Sequence, residues 1–91
     1  MTPFEQLRDI VARLRSPDGC PWDREQTNVS LVSPVLEEAY EVAGAIDAHD
    51  DVNLREELGD LLLLIVMHAQ IASEEQRFSI DEIACAINEK L

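Results

Sequence analysis

An all-α fold, a four-helix bundle-like domain, is predicted by three features of this 91-residue chain. Leu, Ala, Ile and Glu are abundant while glycine and proline are scarce, a balance that favours helix. Apolar residues recur at helical spacing in four separate stretches. Three of those stretches carry capping-box signals at their heads. A chain of this length makes one domain, residues 1–91, whose modest core is commonly supplemented by association.

The first helix opens at Thr2-Pro3-Phe4-Glu5. Thr2 is the cap, Pro3 suits the first helical position, and Glu5 completes a capping box. Phe4, Leu7, Ile10, Val11 and Leu14 form its apolar stripe. It ends near Ser16-Pro17, before a turn at Gly19. Residues 16–30, SPDGCPWDREQTNVS, read as an irregular connection because Pro17, Gly19 and Pro21 interrupt them. Trp22, the only tryptophan, either plugs the end of the core or stands as a wall for a ligand, with Arg24 beside it.

The second helix includes Pro34 to Ala48, with Val35, Ala39, Val42, Ala43 and Ile46 as its apolar stripe. Glu38 lies nearer that stripe than Glu37 does. Asp47 to Asp51 make a polar break, in which His49 is solvated. The third helix starts around Asn53, in a second capping box with Glu56, and runs to about Glu75. Leu61 to Met67 are seven consecutive apolar residues, so this helix is expected to be buried on every side, at the centre of a bundle or in a subunit interface. Glu57, Leu61, Leu64, His68 and Ile71 share one line, with Asp60 beside it, whereas Glu56 faces elsewhere. The fourth helix is capped by Ser79 and boxed by Glu82. Phe78 and Ile83 stand as a hydrophobic staple, and the apolar pattern continues to Leu91.

Charge narrows the function. The net charge is −12, and the window Glu37–Asp60 holds nine acids against one base, Arg55. Such a surface repels nucleic acid polymers and anionic membranes. Cys20 and Cys85 are too few and too far apart for a disulfide framework or a zinc site. No secretory leader is visible, and Leu61–Met67 is too short to span a bilayer. A cytoplasmic protein is expected.

Acids on helices are ordinarily solvated or ion-paired. Here two clusters of similar spacing, Glu37-Glu38-x-x-Glu41 and Glu56-Glu57-x-x-Asp60, flank one turn, and few bases lie near. Glu57 and Asp60 continue an otherwise apolar line. Inward carboxylates without basic partners are protonated or bound to metal, and hard oxygen ligands select magnesium, manganese or calcium. A di-iron bundle would need Glu-x-x-His pairs, which neither His49 nor His68 provides. A hydrogen-bonded core histidine is the expected role of His68.

CPWDREQT (Cys20–Thr27), LEEAYEVAGAID (Leu36–Asp47) and LREELGDLLL (Leu54–Leu63), in that order, resemble the MazG family of nucleoside triphosphate pyrophosphohydrolases. The resemblance spans nearly the whole chain. It implies a MazG-type helical domain completed by dimerisation, and hydrolysis of an NTP or dNTP to the monophosphate and pyrophosphate in nucleotide-pool house-cleaning. It implies Mg2+, with Mn2+ able to substitute, held by Glu38, Glu41, Glu57 and Asp60. Glu37, Glu38 and Glu41 become the catalytic carboxylates, Glu37 by orienting or deprotonating the attacking water. Arg24 becomes a phosphate partner and Trp22 a base contact. The family commonly has His where this chain has Asn28, Gln at Leu64 and Phe at Met67. The alternatives are a catalytically weak or inactive relative that dimerises or senses nucleotides, and a purely structural acidic bundle.

Overall fold

The computed structural model describes all 91 residues and contains five helices and no strand: α1 Pro3–Leu14, α2 Pro21–Glu25, α3 Val32–Asp47, α4 Asp51–Glu74 and α5 Ile80–Lys90. The all-α expectation holds. No helix is long and apolar enough to cross a membrane.

The α1 capping box forms as the sequence implies. Thr2 Oγ1 accepts from the Glu5 amide at 3.1 Å, and Glu5 Oε1 accepts from the Thr2 amide at 3.2 Å. Two otherwise orphaned donors are thereby satisfied. Only part of the expected apolar stripe turns inward: Val11 is buried and Leu7 packs on the core, while Phe4 and Ile10 are exposed. The chain then reverses at Gly19, whose amide donates to the Ser16 carbonyl. A Cβ there would collide with the carbonyl oxygens of Arg13 and Leu14, so the turn requires glycine.

The connection is more regular than its prolines suggest. Pro21 occupies the first turn of the short helix α2, after an extended Cys20. Proline is tolerated there because the first helical N–H has no partner to lose. A reciprocal pair of bonds between Thr27 and Ser30, each side-chain oxygen accepting the other's amide at 2.8–3.0 Å, shapes the approach to α3. Leu31, 1% exposed, anchors that approach in the core.

The helices α3 and α4 form an antiparallel hairpin. Its turn is a Schellman motif: the His49 amide donates to Ile46 and the Asp50 amide to Ala45, each at 3.1 Å. His49 takes the left-handed conformation this closure demands, with φ 54°. Asp50 then caps α4, its Oδ1 accepting from the Asn53 amide at 3.1 Å. The cap therefore lies three residues before the one expected at Asn53. Asp50 is extended immediately after the turn, and its carboxylate also complements the positive end of the helix dipole. A second Schellman closure ends α4, with Gln76 at φ 60° and the Arg77 amide donating to Ala72.

The core gathers Val11, Leu31, Leu64, Val66, Met67 and Ile71, with Leu7, Val35 and Leu63 against it. Here the apolar run departs from expectation. Leu62 and Ile65 remain 38% and 42% exposed, so α4 is not buried on every side within one chain. The helices α1, α3 and α5 pack on α4 and leave the side of Leu62 and Ile65 open. Ser79 caps α5, its Oγ accepting the Glu82 amide at 3.2 Å. The Glu82 carboxylate returns to the Ser79 hydroxyl rather than to its amide, so the expected box is half formed. Phe78 and Ile83, the expected staple, line one groove with Ile87.

Candidate metal centre

The face of α3 that meets α4 carries Leu31, Val35, Glu38, Val42 and Ala45, all buried or half-buried. Their alternating spacing of four and three is that of a helix–helix seam. Of the expected stripe only Val35 and Val42 turn inward, while Ala39, Ala43 and Ile46 are exposed. Apolar residues lie on both sides of α3, and packing selects the side that carries Glu38. Across the seam, Glu57, Leu61, Leu64, His68 and Ile71 are all buried or half-buried, as the wheel of α4 requires.

One carboxylate oxygen from each of Glu38, Glu57 and Asp60 lies within 4.8 Å of the others. No ion pair involves any of the three. Glu38 Oε2 is buried and lacks a hydrogen-bond partner, an arrangement that costs free energy unless a cation or proton approaches it. Glu57 is held above the ordinary carboxylate range. The first cause is the close approach of the Glu38 carboxylate, with which it would share a proton, followed by burial and then by the charges of Glu38, Asp60 and Glu56. Two carboxylates in such contact share a proton or a cation. A magnesium ion holds oxygens at ~2.1 Å, so ligands on opposite sides of it stand ~4.2 Å apart. The trio is close to that span, its donors are hard oxygens, and it contains an orphaned buried oxygen. These residues fit a divalent metal.

The remaining candidates lie around this trio. Glu41 is exposed and outside the close group, one turn along α3 from Glu38; Glu37 and Glu56 are exposed. Trp22 is 60% exposed, which removes the core-plug alternative. Arg24 donates to the Pro17 carbonyl at 2.8 Å. His68 is half-buried and hydrogen-bonded, with its Nδ1 2.7 Å from Asn28 Nδ2. Arg77 in turn donates to Asn28 Oδ1, which turns the Asn28 amide nitrogen toward the ring.

Sequence reasoning passed over Arg15 and Glu74, which form a two-point pair at 2.9 Å. A signal existed. Arg15 is four residues beyond Val11 and Glu74 three beyond Ile71, so both continue buried lines. Between α1, α4 and α5 lies a cavity of about 60 Å3, lined by Arg8, Gln70 and Ser73 among others. No carboxylate lines it, so it is not a second metal centre.

Residues 26–91 match the family described as the MazG nucleotide pyrophosphohydrolase domain. The chain is 51% identical over 88 residues to a Thermotoga maritima protein named nucleoside triphosphate pyrophosphohydrolase/pyrophosphatase MazG, covering 97% of this chain and 34% of that one. It is 49% identical over 92 aligned positions to an Escherichia coli K12 nucleoside triphosphate pyrophosphohydrolase, covering 100% and 35%. It is 47% identical over 88 residues to the uncharacterized protein YabN of Bacillus subtilis, covering 97% and 18%. The chain thus spans about a third or less of the length of these curated relatives.

Proposed function

Since the chain belongs to the MazG nucleotide pyrophosphohydrolase domain family, we propose that residues 1–91 form a single domain that hydrolyses nucleoside triphosphates with Mg2+, or Mn2+ in its place. The observation that carries this is the trio Glu38, Glu57 and Asp60, with its orphaned Glu38 oxygen and no basic partner. These three side chains hold the ion, and Glu41, one turn away at the rim, completes the set. When bound, a divalent ion neutralises phosphate charge and lowers the pKa of coordinated water.

The chain's own residues supply the rest. Water adds to the α-phosphorus, the bond to the α–β bridging oxygen breaks, and NTP or dNTP becomes a monophosphate and pyrophosphate. Glu37 stands beside Glu38 to orient the water and receive its proton, while Glu38 and Glu41 serve the chemistry through the ion they hold. Arg24 meets a phosphate, and the exposed indole of Trp22 meets the base. The domain works as a homodimer in the cytoplasm, clearing unwanted nucleotides. Exposed apolar side chains support association: Val32, Leu36 and Tyr40 along α3, and Leu58, Leu62 and Ile65 along α4.

The test is pyrophosphate release from the eight common NTPs and dNTPs, with Mg2+ or Mn2+ and with EDTA. Metal-dependent release from at least one nucleotide is expected. No release from any would overturn the enzyme, and calorimetry showing metal-dependent nucleotide binding without product would identify a sensing domain instead.

A further inference from the structure

Trp22 and Arg24 both stand on α2, a five-residue helix with no buried residue. A helix this short is unstable alone, and without an apolar anchor its position must come from polar contacts. The Cys20 amide donates to the Leu14 carbonyl and Arg24 to that of Pro17, but one side chain ties α2 to both α1 and α4. Arg15 caps the end of α1, and its side chain is only 7% exposed. Its Nη1 donates to the carbonyls of Asp23 at 2.5 Å and Gln26 at 3.0 Å, which close the carboxyl end of α2. Its Nε and Nη2 donate to the two carboxylate oxygens of Glu74 at 2.9 Å each. Gln70 Nε2 also donates to Glu74, at 3.1 Å. One guanidinium thus ties together the end of α1, the end of α2 and the last turn of α4. A cation suits the negative end of a helix dipole. The planar fork can serve carbonyls and carboxylate at once, which a lysine ammonium cannot do in the same geometry.

We propose that Arg15 and Glu74 are positioning residues that hold α2 where Trp22 and Arg24 meet the nucleotide, a role that rests on Trp22 and Arg24 being substrate contacts. Arg15 and Glu74 themselves touch no reacting atom. Their effect is to remove the freedom of a segment that would otherwise have to be ordered by the substrate, so they act on affinity rather than on the chemical step.

Trp22 is the only tryptophan, so its fluorescence anisotropy reports α2 alone. The variants are Arg15→Lys, which keeps charge without the fork, Arg15→Met, which keeps length without charge, and Glu74→Gln. All are measured in the full chain, with thermal midpoints taken on the same samples. Arg15→Lys and Arg15→Met are expected to lower the anisotropy and raise KM about tenfold while kcat stays within about twofold, with Glu74→Gln intermediate. Unchanged anisotropy in folded Arg15→Lys would overturn the clamp. A loosened Trp22 with unchanged KM in Arg15→Lys, while Trp22→Ala and Arg24→Ala raise KM, would overturn its positioning role alone. If Trp22→Ala and Arg24→Ala leave KM unchanged, the substrate role of α2 fails and takes the functional half of the clamp with it. The anisotropy still decides whether Arg15 holds α2.

Discussion

Glu57 and Glu74 are carboxylates on one helix whose environments push them in opposite directions. Glu57 is raised above its ordinary 4.5, first by its contact with Glu38. The stability tied to its proton is therefore complete below 4.5 and is lost as pH rises through the raised value. At neutral pH the metal-free trio works against folding. Glu57→Gln removes the repulsion, so it should raise the thermal midpoint in EDTA at pH 7. It should also cut metal-dependent turnover by on the order of 10²-fold. Scanning calorimetry beside a pyrophosphate assay reads both, and a lower midpoint would show that the trio is not electrostatically costly. Glu74 is lowered, first by its hydrogen bond from Arg15. Its contribution is present above 4.5 and lost as pH falls through the lowered value. Glu74→Gln should flatten the acid limb of the stability curve below pH 4.5 and leave the pH dependence of the neutral region unchanged. An unaltered acid limb would mean that the Arg15 pair does not respond to pH.

At the scale of the element, turns carry the sharpest tests. His49 and Gln76 both hold the left-handed position of a Schellman closure. A residue with a Cβ costs ~1–2 kcal/mol there, and glycine gives back ~0.5–1 kcal/mol through the freedom of the unfolded chain. Gln76→Gly should therefore stabilise by ~0.5–1 kcal/mol in urea unfolding, with no change expected in metal affinity. Gly19→Ala should do the reverse, costing more than ~1 kcal/mol because backbone oxygens block its Cβ. The starts of α1 and α5 were legible in the sequence because capping is local: Thr2 and Ser79 act on amides three residues away. The start of α4 was misread because Asn53 and Asp50 are both competent caps, and the Schellman turn decides between them. The inward line of α4 was legible because Glu57 continues an apolar row, whereas Asp60, expected beside that line, is exposed at its edge. The inward face of α3 was not, since apolar residues lie on both its sides and only contact with α4 chooses. The clamp on α2 joins residues 59 apart in sequence, a pairing that no local spacing encodes.

For the whole molecule the question is what covers the open side of the hairpin. Only nine of 91 residues are buried, a thin core for a chain that must offset its conformational entropy. Meanwhile Tyr40, 80% exposed, and Leu36 stand along α3, with Leu62 and Ile65 along α4. Rows of this kind on adjacent helices resemble half of a bundle seam more than a wetted surface. A second copy of the chain offers the same rows, so a two-fold contact is self-complementary. Each copy also brings a net charge of −12, which opposes association through long-range repulsion. Salt shortens that repulsion, from a screening length of ~30 Å at ~0.01 M to ~10 Å at ~0.1 M, while apolar burial is not weakened. Sedimentation should therefore show a dimer that tightens as salt rises, the opposite of an interface built on ion pairs. Leu62→Glu would place a charge in the open seam and should yield monomers with little loss of helicity, because Leu62 is outside the core of the single chain. A wild-type monomer at micromolar concentration in moderate salt, or a dimer indifferent to Leu62→Glu, would mean that something other than a second copy covers this face.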